Sequence, residues 1–194
     1  VLDLSPPSER LSSVESQWRG QPLFVVRVEL TQPGGFLVFS AREAAAEIAD
    51  ALARAGVTPC LPADLEAARI EAGFPSYGRD ITDKTLPQEV ARDKWAISFT
   101  KGCYLGQETV ARIDALGHVN KTLVGLRFEG GEIPPTGAEL SAAGQVVGQI
   151  TSAAFSPRLG SPLALAYIRR GSDRPGTQLD SPVGSAEVVA LPIQ

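Results

Sequence analysis

Val119–Phe128 reads V-N-K-T-L-V-G-L-R-F, and this stretch, with the run of short apolar pieces behind it, decides the fold. It is rich in β-branched and apolar residues and free of proline, the pattern of a strand. The pattern then recurs in short pieces, over Ala138–Ser141, Gln145–Thr151, Pro162–Ile168 and Ala186–Leu191. Turn residues separate the pieces: Gly130-Gly131, Pro134-Pro135-Thr136-Gly137, Ala143-Gly144 and Arg174-Pro175-Gly176. Many short strands with regular turns predict a small antiparallel β-barrel. The character of the chain changes at Gly117–Lys121, which divides it into an α+β region, residues 1–117, and a barrel domain, residues 118–194.

Upstream, Pro22–Leu30 reads as a strand, Gln32-Pro33-Gly34-Gly35 as a turn and Phe36–Phe39 as a returning strand. Ser40-Ala41-Arg42-Glu43 has the form of a capping box. Behind it, Ala44, Ile48, Ala51, Leu52 and Ala55 recur at helical spacing, and Gly56 supplies the stop. The first twenty residues are polar and broken by Pro6, Pro7 and Gly20, so they read as loop with one short helix. A second helix starts at Leu61-Pro62-Ala63-Asp64 and runs to Glu71, ended by Gly73 and Pro75. Phe74–Val90 reads as a long loop, a length that in a compact domain points to function. Gly106–Leu116 is helical, with Gly117 as its stop.

The 194 residues carry 18 basic and 22 acidic side chains, a net charge of −4, which argues against a phosphate backbone as the main partner. The arginines at 158, 169, 170 and 174 read as a solvated face. No apolar run exceeds Pro162–Ile168, too short to cross a bilayer. Two cysteines and one histidine are too few for a disulfide scaffold or a Cys/His zinc cage, so no metal site is expected. G-x-S-x-G, G-x-G-x-x-G and G-x-x-x-x-G-K-[ST] are all missing, which leaves hydrolase, dinucleotide and P-loop readings without support. The chain holds no methionine and begins at Val1, which leaves room for a preceding segment.

Chemistry concentrates in Lys101-Gly102-Cys103-Tyr104-Leu105-Gly106-Gln107-Glu108. A cysteine between two glycines, ahead of a helix N-terminus and two residues from a lysine, meets two influences that favour thiolate. Cys103 is therefore a candidate reactive thiol with Lys101 as its electrostatic partner; the competing reading is a small buried cysteine in a tight turn. Gln107 and Glu108 can orient a ligand or cap the helix. Cys60, between Pro59 and Leu61, reads as structural. A second constellation, Arg69-Ile70-Glu71-Ala72-Gly73-Phe74-Pro75-Ser76-Tyr77-Gly78-Arg79-Asp80-Ile81-Thr82, offers an arginine able to grip a carboxylate and a tyrosine able to stack on a flat ring. Its competing reading is a salt bridge plus a turn. His118 reads as a helix-terminus or strand-edge residue, and Trp18 and Trp95 as packing residues.

The K-G-C-Y-L-G-Q-E segment resembles the signature of the YgfZ-type folate-binding proteins, relatives of the glycine-cleavage T-protein. R-I-E-A-G-F-P-S-Y-G-R-D-I-T-D and Thr85–Glu89 (T-L-P-Q-E) resemble the segment that precedes that signature in the family. The resemblance runs from about Leu23 to the C-terminus. It implies a partial T-protein-like folate-binding region followed by the barrel, with tetrahydrofolate or a one-carbon derivative as cofactor. It implies Arg69 as a folate contact, with Glu71, Tyr77, Asp80, Tyr104, Gln107 and Glu108 as neighbouring binding candidates and Cys103 as the distinctive functional residue. It further implies iron–sulfur client or assembly proteins as partners, among them a tRNA-modifying enzyme, and a cytoplasmic setting.

Family members are longer, so the chain is expected to lack their N-terminal part. The T-protein strand that carries an acidic pterin-binding residue aligns near Gly35-Phe36-Leu37-Val38, which holds no carboxylate. Three functions are consistent with these features: a folate-dependent accessory factor for iron–sulfur proteins, a folate-dependent aminomethyl- or methyltransferase, and a non-catalytic scaffold.

Overall fold

A computed structural model describes residues 5–193, in two compact units, residues 1–68 and residues 69–194. In the first unit, β1 (Ser13–Trp18), β2 (Gln21–Val28) and β3 (Gly35–Ser40) form an antiparallel sheet in that order. The strand β1 corrects the expected loop and short helix in the first twenty residues, of which the first four lie outside the described residues. Its sequence S-V-E-S-Q-W alternates outward polar and inward residues, and the polar half hides the period. Arg19 and Gly20, with φ of 48° and 80°, make a two-residue turn whose twist suits a hairpin. Helix α1 (Arg42–Arg54) lays Ala44 and Ile48 on Leu23 and Val25, with Val14, Trp18 and Leu52 at the margin. The capping box does not form. Ala41 is the N-cap without a side-chain bond, because Ser40 is still extended as the last residue of β3 and donates to the Ala41 carbonyl at 3.1 Å.

Helix α2 spans Pro62–Glu71. Its last turn closes through Gly73, whose φ of 67° lets Phe74 N donate back to the Arg69 carbonyl at 2.9 Å. The expected loop after it, Phe74–Val90, closes in a 3₁₀ turn over Pro87–Val90, and a short helix α3 (Asp93–Ala96) follows beyond its end. Helix α4 (Gln107–Leu116) is bracketed by Gly106 and Gly117, as its sequence predicts.

The predicted α+β architecture ends, as expected, in a closed antiparallel barrel, with strand order β4-β7-β6-β5-β8-β9. The strands are β4 (Lys121–Phe128), β5 (Glu139–Ala142), β6 (Gln145–Ser156), β7 (Ser161–Arg169), β8 (Gln178–Ser181) and β9 (Gly184–Val189). Leu126, Phe128, Leu140, Ile150, Ala164, Ala166, Ile168, Leu179 and Val188 fill the barrel. β6 outruns its predicted end at Thr151 because a bulge between Ile150 and Ser152 resets the alternation there. β8 has no counterpart among the predicted strands, since Q-L-D-S offers only Leu179 to the interior. A second apolar cluster lies outside the barrel, where Leu123, Leu163 and Leu165 meet Ile70, Val90 and Ile193. Among the described residues no helix is long and apolar enough to cross a membrane.

Candidate functional site

Arg69, in the last turn of α2, turns its guanidinium toward β6. It donates to Asp80 Oδ2 at 2.8 Å, to the Phe74 carbonyl at 2.8 Å and to Ser152 Oγ at 2.7 Å. Three more donors hold the Asp80 carboxylate. Its Oδ2 takes the Ser76 N–H at 2.8 Å, and its Oδ1 takes the hydroxyls of Ser152, at 2.7 Å, and Thr151. The side chains of Arg69 and Asp80 are 9% and 0% exposed, so the charges complete one another away from water. Buried charges persist only with such a set of partners. The Tyr167 hydroxyl closes the ring by donating to the Asp80 carbonyl at 2.9 Å. Burial pushes the Tyr167 phenol up to about 12, and nearby Glu89 and Asp80 add to the shift while Thr85 opposes it. Lys121 stacks on the Tyr167 ring and lies 3.9 Å from Glu89.

Arg69, which the resemblance makes a folate contact, is engaged with Asp80 here, and this part of the constellation takes the form of the salt bridge that is its competing reading. Glu71 belongs to a separate clasp, bonded to Arg158 at 2.7 Å and to Ser156. Tyr77 stands out at 73% exposed on the loop that the Asp80 network anchors. Its hydroxyl donates to Asp83, and that bond, with some burial, raises its pKa.

The cysteine segment forms a second group. Cys103 is a free, exposed thiol, which removes the reading as a small buried cysteine. Cys60 is exposed as well, so it fills no core position. Lys101 sits over the Tyr104 ring at 4.6 Å, and Gln107 Oε1 accepts the Tyr104 N–H at 3.2 Å, which fixes the turn into α4. Glu108 is exposed in the first turn of that helix. Nearby, Arg92 lies between the rings of Phe74, at 5.0 Å, and Trp95, at 4.9 Å. Trp95 is 55% exposed, so it packs less than its sequence reading expects. Among the described residues no group of three or more His, Cys, Asp or Glu side chains is placed to hold a metal ion.

Sequence reasoning missed Thr151, Ser152 and Tyr167, which look like ordinary strand residues until the bulge turns the first two toward Asp80. It also missed a cleft of about 550 Å³ in the first unit, lined by Glu15, Gln17, Pro22, Phe24 and Phe39 among others. Phe24 and Phe39 meet there only through the register of β2 and β3, which the sequence does not print.

Residues 121–193 match the family described as the glycine cleavage T-protein C-terminal barrel domain. The chain is 32% identical over 175 residues to an aminomethyltransferase of Rippkaea orientalis, covering 90% of this chain and 47% of that protein. It is 35% identical over 176 residues to an aminomethyltransferase of Thermus thermophilus, covering 90% of this chain and 48% of that one. The crystal structure of glycine cleavage system aminomethyltransferase T from Bartonella henselae superposes with a TM-score of 0.79 at 25% identity, over 88% of this chain and 49% of that one. The chain thus spans about half the length of the curated relatives it matches.

Proposed function

We propose that this chain, whose residues 121–193 match the glycine cleavage T-protein C-terminal barrel domain, belongs to the glycine-cleavage T-protein superfamily and functions as a YgfZ-type, tetrahydrofolate-binding accessory protein that supports iron–sulfur cluster assembly or repair. The observation that carries the reading is the exposed thiol of Cys103 in the K-G-C-Y-L-G-Q-E segment, two residues after Lys101 and three before Gly106, the N-cap of α4. Nucleophilic or sulfur chemistry needs a thiol that a partner can reach, and Cys103 offers one. Functionally the chain divides into a folate-binding region, residues 1–117, and a barrel, residues 118–194.

The residues fit a folate in part. Tyr77 offers an open ring for stacking, and Tyr104, Gln107 and Glu108 offer aromatic and polar contacts at the start of α4. Arg69 and Asp80 act one step back in this reading, holding the Tyr77 loop on the barrel, while Glu71 holds the end of α2 to Arg158. Bound folate would supply the one-carbon chemistry; Cys103 and Lys101 would hold or pass the reacting group.

Calorimetric titration with tetrahydrofolate tests the binding half of the reading. Tyr77→Ala is the informative variant, because its side chain is exposed and its loss leaves the Asp80 network whole. Wild-type binding weakened in Tyr77→Ala supports the reading, and binding unchanged in that variant removes the loop from it. Failure of Cys103→Ala to restore an iron–sulfur enzyme in cells tests the other half. The names of the relatives favour a second reading, a folate-dependent aminomethyltransferase. Steady turnover of a folate-linked one-carbon unit by purified protein, undiminished in Cys103→Ala, would put that reading first.

A further inference from the structure

We propose that residues 191–193, the segment behind β9, form a strap that seats the loop carrying Tyr77, so that strap and loop open and close as one unit. The inference rests on buried contacts within residues 69–194 and stands apart from the folate reading. Three consecutive residues at the end of α2 tie that end down. Arg69 bonds Asp80 and Ser152. Ile70, at 0% exposed, packs in the cluster that holds Ile193 and Leu191. The Glu71 carbonyl accepts the Ile193 N–H at 2.7 Å, and the Glu71 carboxylate accepts Arg158 Nε at 2.7 Å. Arg158 also donates to the Ile193 carbonyl at 3.0 Å, so one guanidinium pins both the helix end and the strap. The loop leaves this helix end through Gly73 and returns to it through Asp80.

The seat of the strap is made of glycine. A Cβ added at Gly73 would fall 2.9 Å from Leu191 Cβ and Cδ2, and one added at Gly125 would fall 2.9 Å from Leu191 Cδ2 and 3.0 Å from Ile193 Cγ1. Gly73 also needs its positive φ to end α2. Gly125 has no such need, since it lies inside β4 in ordinary strand conformation. A glycine inside a strand weakens it and marks the close approach of another part of the chain. Here that part is the strap. β4 gives up a side chain on the outer wall of the barrel for a contact made only while the strap is down. The strap itself lies outside every strand of the barrel, so it opens at less than the cost of global unfolding. Its opening uncovers Ile70 and takes the partner from the Glu71 carbonyl. The end of α2 loosens with it and, through Arg69, so does the loop that Asp80 holds.

Native-state hydrogen exchange of the chain tests the coupling. Three amides report strap and loop: Ile193, which donates to the Glu71 carbonyl, Phe74, which donates to that of Arg69, and Asp80, which donates to that of Ser76 at 2.8 Å. Two report the barrel: Ile150, bonded to the Ala138 carbonyl, and Val188, bonded to that of Thr177. In wild-type protein the first three share one opening free energy, below that of the other two. Gly125→Val displaces Leu191 and Ile193 while suiting the strand it sits in. It should speed exchange at Ile193, Phe74 and Asp80 together by about tenfold or more and leave Ile150 and Val188 within about twofold. Arg158→Met, at a half-exposed side chain, should move the same three amides in the same direction. Exchange that quickens at Ile193 while Phe74 and Asp80 stay slow overturns the proposal, because the strap then frays alone. So does a rise shared equally by Ile150 and Val188, or a separate opening free energy for each of the three amides in wild-type protein.

Discussion

Removing the charge from Asp80 while keeping its shape should be among the most damaging single changes the second unit can receive. All the groups around that carboxylate are donors: Arg69 and Ser76 N–H meet Oδ2, and the hydroxyls of Thr151 and Ser152 meet Oδ1. In Asp80→Asn, an NH₂ turned toward Arg69 and Ser76 N–H faces two donors. One turned toward Thr151 and Ser152 is accepted only if those hydroxyls turn their protons elsewhere, as Thr151 can toward the Leu165 carbonyl at 3.1 Å. The substitution also leaves a guanidinium only 9% exposed without its counter-charge. Breaking a buried pair from one side costs about 3–5 kcal/mol. A domain is stable by only about 5–15 kcal/mol, and a loss of this size lowers Tm by about 10 °C. Urea unfolding of wild type, Asp80→Asn, Arg69→Met and the double variant measures it. The double variant removes the stranded charge, so it should lose about 1–3 kcal/mol less than the sum of the single changes. Single losses below about 1 kcal/mol, or simple additivity, would refute the claim that this pair anchors the Tyr77 loop.

Other sites make narrower demands. At Gly148 an added Cβ would fall 2.4 Å from Ile168 Cδ1 and 2.5 Å from the Tyr167 carbonyl oxygen, so Gly148→Ala should cost about 1–3 kcal/mol by overpacking in thermal unfolding. Cys103→Ala should change stability by less than about 0.5 kcal/mol because the thiol is exposed, so any loss of function it causes is chemical. Burial raises the Asp93 carboxyl above its ordinary range, a backbone bond opposes the shift, and Asp114 adds to it. A carboxyl raised on folding stabilises fully below its unfolded pKa and loses that contribution as pH rises through the folded value. Asp93→Asn should therefore raise Tm at pH 7 and leave it nearly unchanged below about pH 4. Asp83→Asn should lower the Tyr77 pKa, read as an earlier rise in phenolate absorbance, because it replaces the main partner that holds the proton.

Range along the chain separates the features the sequence discloses from those it hides. The barrel is legible because most strands are short apolar pieces, alternating or, as in β4 and β7, buried in a run, and each turn carries its own glycine or proline. The exceptions are local too: β8 has one inward residue, and the bulge in β6 shifts the phase of a pattern that otherwise reads cleanly. Arg69 and Asp80 are both visible as candidates, but the partner that turns them inward, Ser152, is 83 residues from Arg69 and unremarkable where it stands. The same holds for Ser156 and Arg158, which take up Glu71 across the fold. Cys103 is ambiguous in sequence for a different reason. Free cysteine is among the most buried residue types, so composition leans toward the interior and only placement in space shows the thiol outside.

The apolar cluster outside the barrel bears on how such a protein can be recombined. Ile70 and Ile193 have no exposed surface to speak of, at 0% and 1%, and both rest against Leu123, Leu163 and Leu165 on the barrel's outer wall. Fully burying one such side chain is worth about 1.5–3 kcal/mol. A chimera joined at residue 120, where the barrel family's match begins one residue later, would strip that wall of Ile70 and Val90 and offer a stripe of leucine to solvent. The barrel is thus not an interchangeable bead: its exterior is inherited together with residues 69–90, and grafts that respect the seam have to carry that lining with them.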